Sequence, residues 1–249
     1  MKKLSFSKAP LIAWTFNMGQ TYGGLRGSIA RFALSSVDLF VVHTTAEIEA
    51  YSSWLRLPKS RFVFVPLGIS VPTGEVDSLE TQEPFVLSMG SANRDYDCLF
   101  RAVGELGYRT IVVAGEHSTE GLDIPKNVDL RSGLSLNQCH ALSRAARVNV
   151  VPIKDEDSPS GQVTFLETMI FGKAMVLTEC AGTRDYVTSG ENGVLVAPNT
   201  TSEMRDAIFM LWNDRELRNR IGDAAKRRVL DQSTLEGIAP TMLRLLQRF

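Results

Sequence analysis

The chain has 249 residues, 44% of them hydrophobic and 22% charged, an ordinary make-up for a soluble globular protein of one large domain or two small ones. Its net charge of −1 gives no general field for nucleic acid. Three cysteines without a C-x-x-C pair and three scattered histidines lack the spacing of a metal site and fit the reduced thiols of a cytosolic protein.

Met-Lys-Lys at the start leads into polar residues rather than the apolar core of a signal peptide, and no apolar run reaches the roughly 18 residues of a spanning helix. Residues 1–75 carry eight Lys/Arg against four Asp/Glu. That surplus suits an anionic ligand or acidic lipid, and equally a solvated face. Strand-like runs come at 10–16, 38–43 and 61–67, with helix-period stretches over 24–35 and 45–56 between them. Residues 68–83, GISVPTGEVDSLETQE, have no apolar period and are expected to be a linker. Strand runs resume at 84–90, 109–115, 147–153, 173–178 and 193–198, separated by helix-period stretches at 96–106, 135–145, 162–171 and 182–188. From about 201 the pattern is helical only. Several runs, such as DLFVVH, are continuous rather than alternating, as parallel strands buried on both faces are. The alternation predicts doubly wound α/β sheets. The expected division is an α/β part over 1–75, too small to be comfortable alone, a full α/β domain over 76–232, and a C-terminal helix over 233–249 packing back on the first part.

Residues 158–176, SPSGQVTFLETMIFGKAMV, raise a chemical question. On a helix over 162–171, the residues one turn from Glu167 are Val163, Thr164, Ile170 and Phe171, mostly apolar. A carboxylate there needs a partner. A neighbouring backbone group or arginine would serve. The loop before the helix points elsewhere: Ser158, Ser160 and Gly161 are small, and the N–H groups and positive dipole end that follow make a ready anion site. Gly161 would admit a diphosphate close to the backbone. Glu167 lies roughly 9 Å further along, at about 1.5 Å per residue, a span that suits the ribose of the same nucleotide.

The run SGQVTFLETMIFGKAMVLTECAGTRDYVTSGENGVLVAPN resembles the donor-binding signature of retaining GT-B glycosyltransferases, the glycosyl transferases group 1 or glycosyltransferase family 4-like enzymes. Their pattern is two glutamates separated by seven residues, then Ala-Met and Gly-Lys-Pro. Glu167 matches the second glutamate, which in the family holds the ribose; the first, which faces the transferred sugar, falls at Pro159. Ser160, Gly161 and Gln162 would take over that work, with Val163 completing the donor-binding set. Ala174 stands for the usual proline. VLSMGSANRDYDCLFRAV resembles the family's first donor-side strand, loop and helix, where an arginine and a lysine hold the diphosphate. Ser91 and the Arg94-Asp95 pair stand there, so after Gly90 the cation left for the leaving phosphate is Arg94. Gly115 and His117 fall near the nucleotide edge. SSVDLFVVHTTAEIEAYSSWLRLPKSRFVFVPLGI resembles the end of the family's acceptor domain, with Phe16-Asn17 where a His-Asp pair is usual. The family's earlier N-terminal strands and glycine-rich loop have no counterpart.

The resemblance implies a GT-B-like α/β fold with one complete Rossmann-like donor domain and a partial N-terminal domain. It implies transfer of a sugar, with retention, from a nucleotide-diphosphate sugar to a hydroxyl of a glycan or lipid-linked acceptor. Arg94 and Glu167 are the expected catalytic pair, and no metal or cofactor is expected. The expected setting is the cytoplasm, with contact to an acidic inner membrane face left open for the basic run 224–230, AAKRRVL. A partner chain could supply the N-terminal part. The alternative is a non-catalytic donor-binding subunit or remnant, which Pro159, Phe16-Asn17 and the missing strands favour; a nucleotide-sugar epimerase is a third option.

Overall fold

A computed structural model describes residues 9–19, 21–72, 83–154 and 159–249. Ser158 and most of the expected linker, residues 73–82, lie outside the described residues. The chain divides into two units: Met1–Gly68 with Leu235–Phe249, and Ile69–Thr234.

The smaller unit holds strands β1 (Ile12–Ala13), β2 (Leu39–Val42) and β3 (Phe62–Phe64), all parallel in the order β1-β2-β3. Helices α1 (Gly24–Leu34) and α2 (Thr45–Leu55) connect them. All four residues of β2 are buried, and their alternation sends Phe40 and Val42 to one face, Leu39 and Val41 to the other. On the first face Phe40 stacks on Phe62 at 4.8 Å, and Phe16 meets Phe40 edge-on at 4.8 Å. Phe16 is thus a core residue, while the Asn17 carboxamide accepts the Gly19 N–H at 2.7 Å. The second face is closed by the C-terminal helix Leu235–Leu246, which brings Ile238, Met242 and Leu245 against Val41 and Val65. At the start of α2 the Thr44 hydroxyl caps the Glu47 N–H, and the buried Glu47 carboxylate accepts from the His43 N–H and the Thr44 hydroxyl.

The larger unit has six parallel strands: β4 (Val86–Met89), β5 (Thr110–Val113), β6 (Val128–Arg131), β7 (Val148–Val151), β8 (Met175–Thr178) and β9 (Val194–Val196). Their order is β6-β5-β4-β7-β8-β9. The connections run one way from β4 to β6 and the other way from β7 to β9, the doubly wound arrangement whose crevice opens at the switch between β4 and β7. Helices α3 (Tyr96–Leu106), α4 (Leu136–Ala145), α5 (Gln162–Ile170), α6 (Thr201–Asn213) and α7 (Arg215–Gln232) complete it. Val86, Val112, Val148, Val150 and Val176 pack with α3 and α6, whereas Phe85, Leu87 and Ile111 pack with Leu142 of α4. In α7, Gly222 lies against the Gly172 carbonyl just past α5, and a Cβ there would collide with it.

Two elements differ from the sequence pattern. Strand β6 was not expected: VDLR alternates at the sheet edge, its four residues half-buried or exposed, so no apolar run announces it. Residues 182–188, expected as a helix, form turns over 182–186 and irregular chain after them. The Thr183 hydroxyl accepts the Cys180 N–H at 2.9 Å and donates to the Thr178 carbonyl at 2.9 Å. This local side-chain pairing draws the chain away from a helix.

Candidate functional site

The loops that leave β4 and β7 are knitted together at the switch point. Asp95 N–H donates to the Pro152 carbonyl at 3.1 Å and Lys154 N–H to the Asn93 carbonyl at 3.1 Å, forming an antiparallel bridge between Arg94 and Ile153. Asp95 then caps α3 by accepting the Cys98 N–H at 3.1 Å. The Tyr96 hydroxyl donates to the Gly90 carbonyl at 2.5 Å, and burial pushes its pKa up to about 12, so it is a neutral donor.

Arg94 is drawn inward by this arrangement and is only 6% exposed. Its Nε donates to the Met89 carbonyl at 3.1 Å, Nη1 to the Ala92 carbonyl at 2.8 Å, and Nη2 to the Thr164 hydroxyl of α5 at 3.3 Å. These three partners are neutral, and burial lowers the guanidinium pKa from its ordinary value. Each Nη keeps one further hydrogen to donate. Two glycines make room for the group. Gly90 has φ +112°, and a Cβ there would stand 2.5 Å from Nη2; Gly161 has φ +78°, and a Cβ there would stand 3.3 Å from Nη1. Both positions need the conformational freedom and the small volume of glycine.

Gly161 is also the N-cap of α5 and supplies no side-chain cap. The first-turn N–H groups of that helix therefore start beside the Arg94 guanidinium. The Ser160 hydroxyl, buried at the same point, has no hydrogen-bond partner. Gly182 presses on the loop from the far side, where a Cβ would lie 3.2 Å from Pro159 Cα and from the Ser160 nitrogen. Gln162 opens the helix, and Val163 is 52% exposed. Phe165, Leu166 and Met169 anchor α5 in the core, leaving Glu167 on its partly open side with 23% of the side chain exposed. Glu167 Oε2 stands 3.3 Å from Nε2 of His140 in α4.

A second feature lies past the ends of β5 and β6. A cavity of about 160 Å³ is lined by Ala114, Glu116, Thr119, Leu130, Arg131 and Ser132. Beside it the Gly115 N–H donates to the Ser91 hydroxyl at 2.8 Å and the Ser118 hydroxyl to the Ser91 carbonyl at 3.3 Å. The His117 ring lies over Gly115, where a Cβ would be 2.8 Å from Cε1. Among the described residues no group of three or more His, Cys, Asp or Glu could hold a metal ion.

The structure thus brings Gly90, Arg94, Ser160 and Gly161 together and sets Gln162, Val163 and Glu167 along the helix that starts there. Two neighbours carry no linear signal: Thr164, which binds Arg94, and His140, which faces Glu167 from 27 residues away in the chain.

Residues 75–228 match the family of glycosyl transferases group 1, and the chain belongs to it. The uncharacterized glycosyltransferase MJ1178 of Methanocaldococcus jannaschii is 28% identical over 100 residues, an alignment covering 40% of this chain and 28% of that protein. Sucrose-phosphate synthase from Thermosynechococcus elongatus matches with a TM-score of 0.75 at 20% identity, covering 93% of this chain and 63% of that one. HepE of Anabaena, solved in complex with UDP and glucose, matches with a TM-score of 0.80 at 15% identity, covering all of this chain and 73% of that one. The fold is GT-B-like, and the chain spans part of the length of these relatives.

Proposed function

We propose that the chain binds a nucleotide-diphosphate sugar at the β4–β7 switch point and transfers the sugar, with retention, to a hydroxyl of a glycan or lipid-linked acceptor. The observation that carries this reading is the buried Arg94, wrapped by Gly90 and Gly161, with neutral partners beside the uncapped start of α5. A diphosphate there receives the remaining guanidinium hydrogens and the first-turn N–H groups. Its charge grows as the sugar–phosphate bond breaks, so these donors act most strongly on the leaving group. The departing phosphate takes the proton of the incoming hydroxyl. Gly90 of the loop after β4, Ser160 and Gly161 before α5, and Gln162 and Val163 in its first turn surround the donor. Glu167, about 1.5 turns along the same helix, accepts the ribose hydroxyls. HepE, solved with UDP and glucose, has the same fold and supports a nucleotide-sugar donor.

A non-catalytic donor-binding subunit is the second reading. Pro159, which stands where the family resemblance puts the carboxylate facing the transferred sugar, favours it. Among the described residues no helix is long and apolar enough to cross a membrane. Contact with an acidic membrane face would use the exposed Lys226, Arg227 and Arg228 of α7.

Calorimetry and thermal shift with UDP, GDP, ADP and their sugar conjugates test the donor site. One nucleotide should bind saturably, and Glu167→Ala should weaken it at least tenfold. A folded protein that binds none of them overturns both readings. Sugar release from the bound donor, alone or with a partner chain, separates transferase from binding subunit.

A further inference from the structure

The ribose carboxylate has a support of its own. His140 is buried, 6% exposed, and projects from α4 onto α5. Its Nε2 is 3.3 Å from Glu167 Oε2 but outside hydrogen-bond geometry, and the atom has no other hydrogen-bond partner. A buried imidazole nitrogen without a partner is costly. A small rotation of the Glu167 carboxylate would complete a bond to it. The ring itself is held in place. Phe171, one turn beyond Glu167, meets it edge-on at 5.2 Å, and the Arg144 guanidinium covers Phe171 at 4.3 Å. The Glu167 charge is felt on α4 as well: burial first, and then Glu167, raise the pKa of the neighbouring Cys139 thiol.

We infer that His140 is a positioning residue: its Nε2–H donates to Glu167 Oε2 and fixes the carboxylate so that its remaining lone pairs face the two ribose hydroxyls. An ionised carboxylate has about four acceptor sites, enough for one imidazole and two hydroxyls. Without the imidazole, the carboxylate of a partly exposed glutamate is free to change rotamer, and each nucleotide must order it again on binding. The assignment rests on the ribose role proposed for Glu167. It requires the tautomer with hydrogen on Nε2, as outer-shell donors commonly set the orientation of a first contact.

The test uses the full chain and three substitutions. His140→Phe keeps an aromatic ring against Phe171 but removes the donor. His140→Gln restores an N–H at nearly the same place. Glu167→Gln neutralises the acceptor. Dissociation constants are measured for whichever of UDP, GDP and ADP binds, and for its 2′,3′-dideoxy form, with circular dichroism and melting curves as folding controls. The expected result is a loss of about tenfold for His140→Phe, recovery to within about threefold for His140→Gln, and no further loss when His140→Phe is added to Glu167→Gln. With the dideoxy nucleotide, His140→Phe should have little effect. If Glu167→Gln weakens binding while His140→Phe does not, or if the two losses simply add, the positioning role is wrong and the Glu167 assignment stands. If Glu167→Gln leaves binding of the normal nucleotide unchanged, the ribose assignment fails and this inference falls with it. A purely structural histidine would lower the melting temperature of His140→Phe and leave the ribose dependence of binding unchanged.

Discussion

Both units are parallel sheets with fully buried apolar strands, yet only one of them reverses its strand order. In the smaller unit β1, β2 and β3 follow one another across the sheet, so among the described residues that sheet shows no switch point. In the larger unit the strand order reverses between β4 and β7, and the loops that leave these two strands are bonded to each other there. Arg94 and Gly161 meet in that gap. Net charge would have pointed to the N-terminal part of the chain, since residues 1–75 carry the basic surplus. One guanidinium buried by topology against the start of a helix is a more specific anion site than several exposed cations in water, where charges are screened.

The contrast can be broken most strongly at the smaller unit. Deleting residues 235–249 removes Ile238 and Leu245 from the second face of its sheet. Burial of two such side chains contributes about 3–6 kcal/mol, a large share of what a unit this small can hold. Hydrogen exchange should then show loss of protection in β2 with protection kept in β4 and β7. Equal loss in both sheets would mean that the units do not unfold separately.

At the larger unit, Arg94→Met should weaken nucleotide-diphosphate binding about 10–100-fold, the range expected for losing hydrogen bonds to a charged group of about 1.5–3 kcal/mol. Binding of the free nucleoside should be little changed. A matching loss for the nucleoside would show that Arg94 shapes the loop rather than holding phosphate.

The smallest effect concerns pH. Burial lowers the pKa of His43 below the usual histidine value, against an opposing bond to the Val65 carbonyl. Between the two values the unfolded chain binds more protons than the folded one, so the smaller unit loses stability as pH falls below about 6.5. Glu47 acts in the opposite sense at lower pH. Burial raises its folded pKa above 4.5, so the folded state takes up the proton first and gains stability as pH falls through that window. Melting curves at pH 7.5 and 5.5 should show a drop that His43→Gln removes. A drop of the same size in the variant would assign it to another group.

Much of this was legible in the sequence where one physical cause dominated. Continuous apolar runs marked the buried strands, and SGQ before an apolar helix marked the start of α5. Strand β6 escaped because an edge strand needs no apolar run. The 182–186 turns escaped because a single threonine hydroxyl decided them. The neighbours of the site were hidden for a different reason. Thr164 and His140 became relevant only when the fold set α5 against the loop after β4 and against α4. Arg94 was visible as a cation, but its burial between two positive-φ glycines depended on two loops converging from strands 62 residues apart in sequence.

One backbone contact outside the anion site has a practical consequence. Gly222 lets α7 touch the Gly172 carbonyl directly, at the turn that ends the helix carrying Glu167. Beyond the side chains that anchor that helix in the core, its end is braced at this point by backbone against backbone. Residue 222 therefore belongs in any library meant to test or alter the proposed donor site, although a choice made by distance to that site would leave it out. Adding a methyl group there moves the brace, and with it the carboxylate.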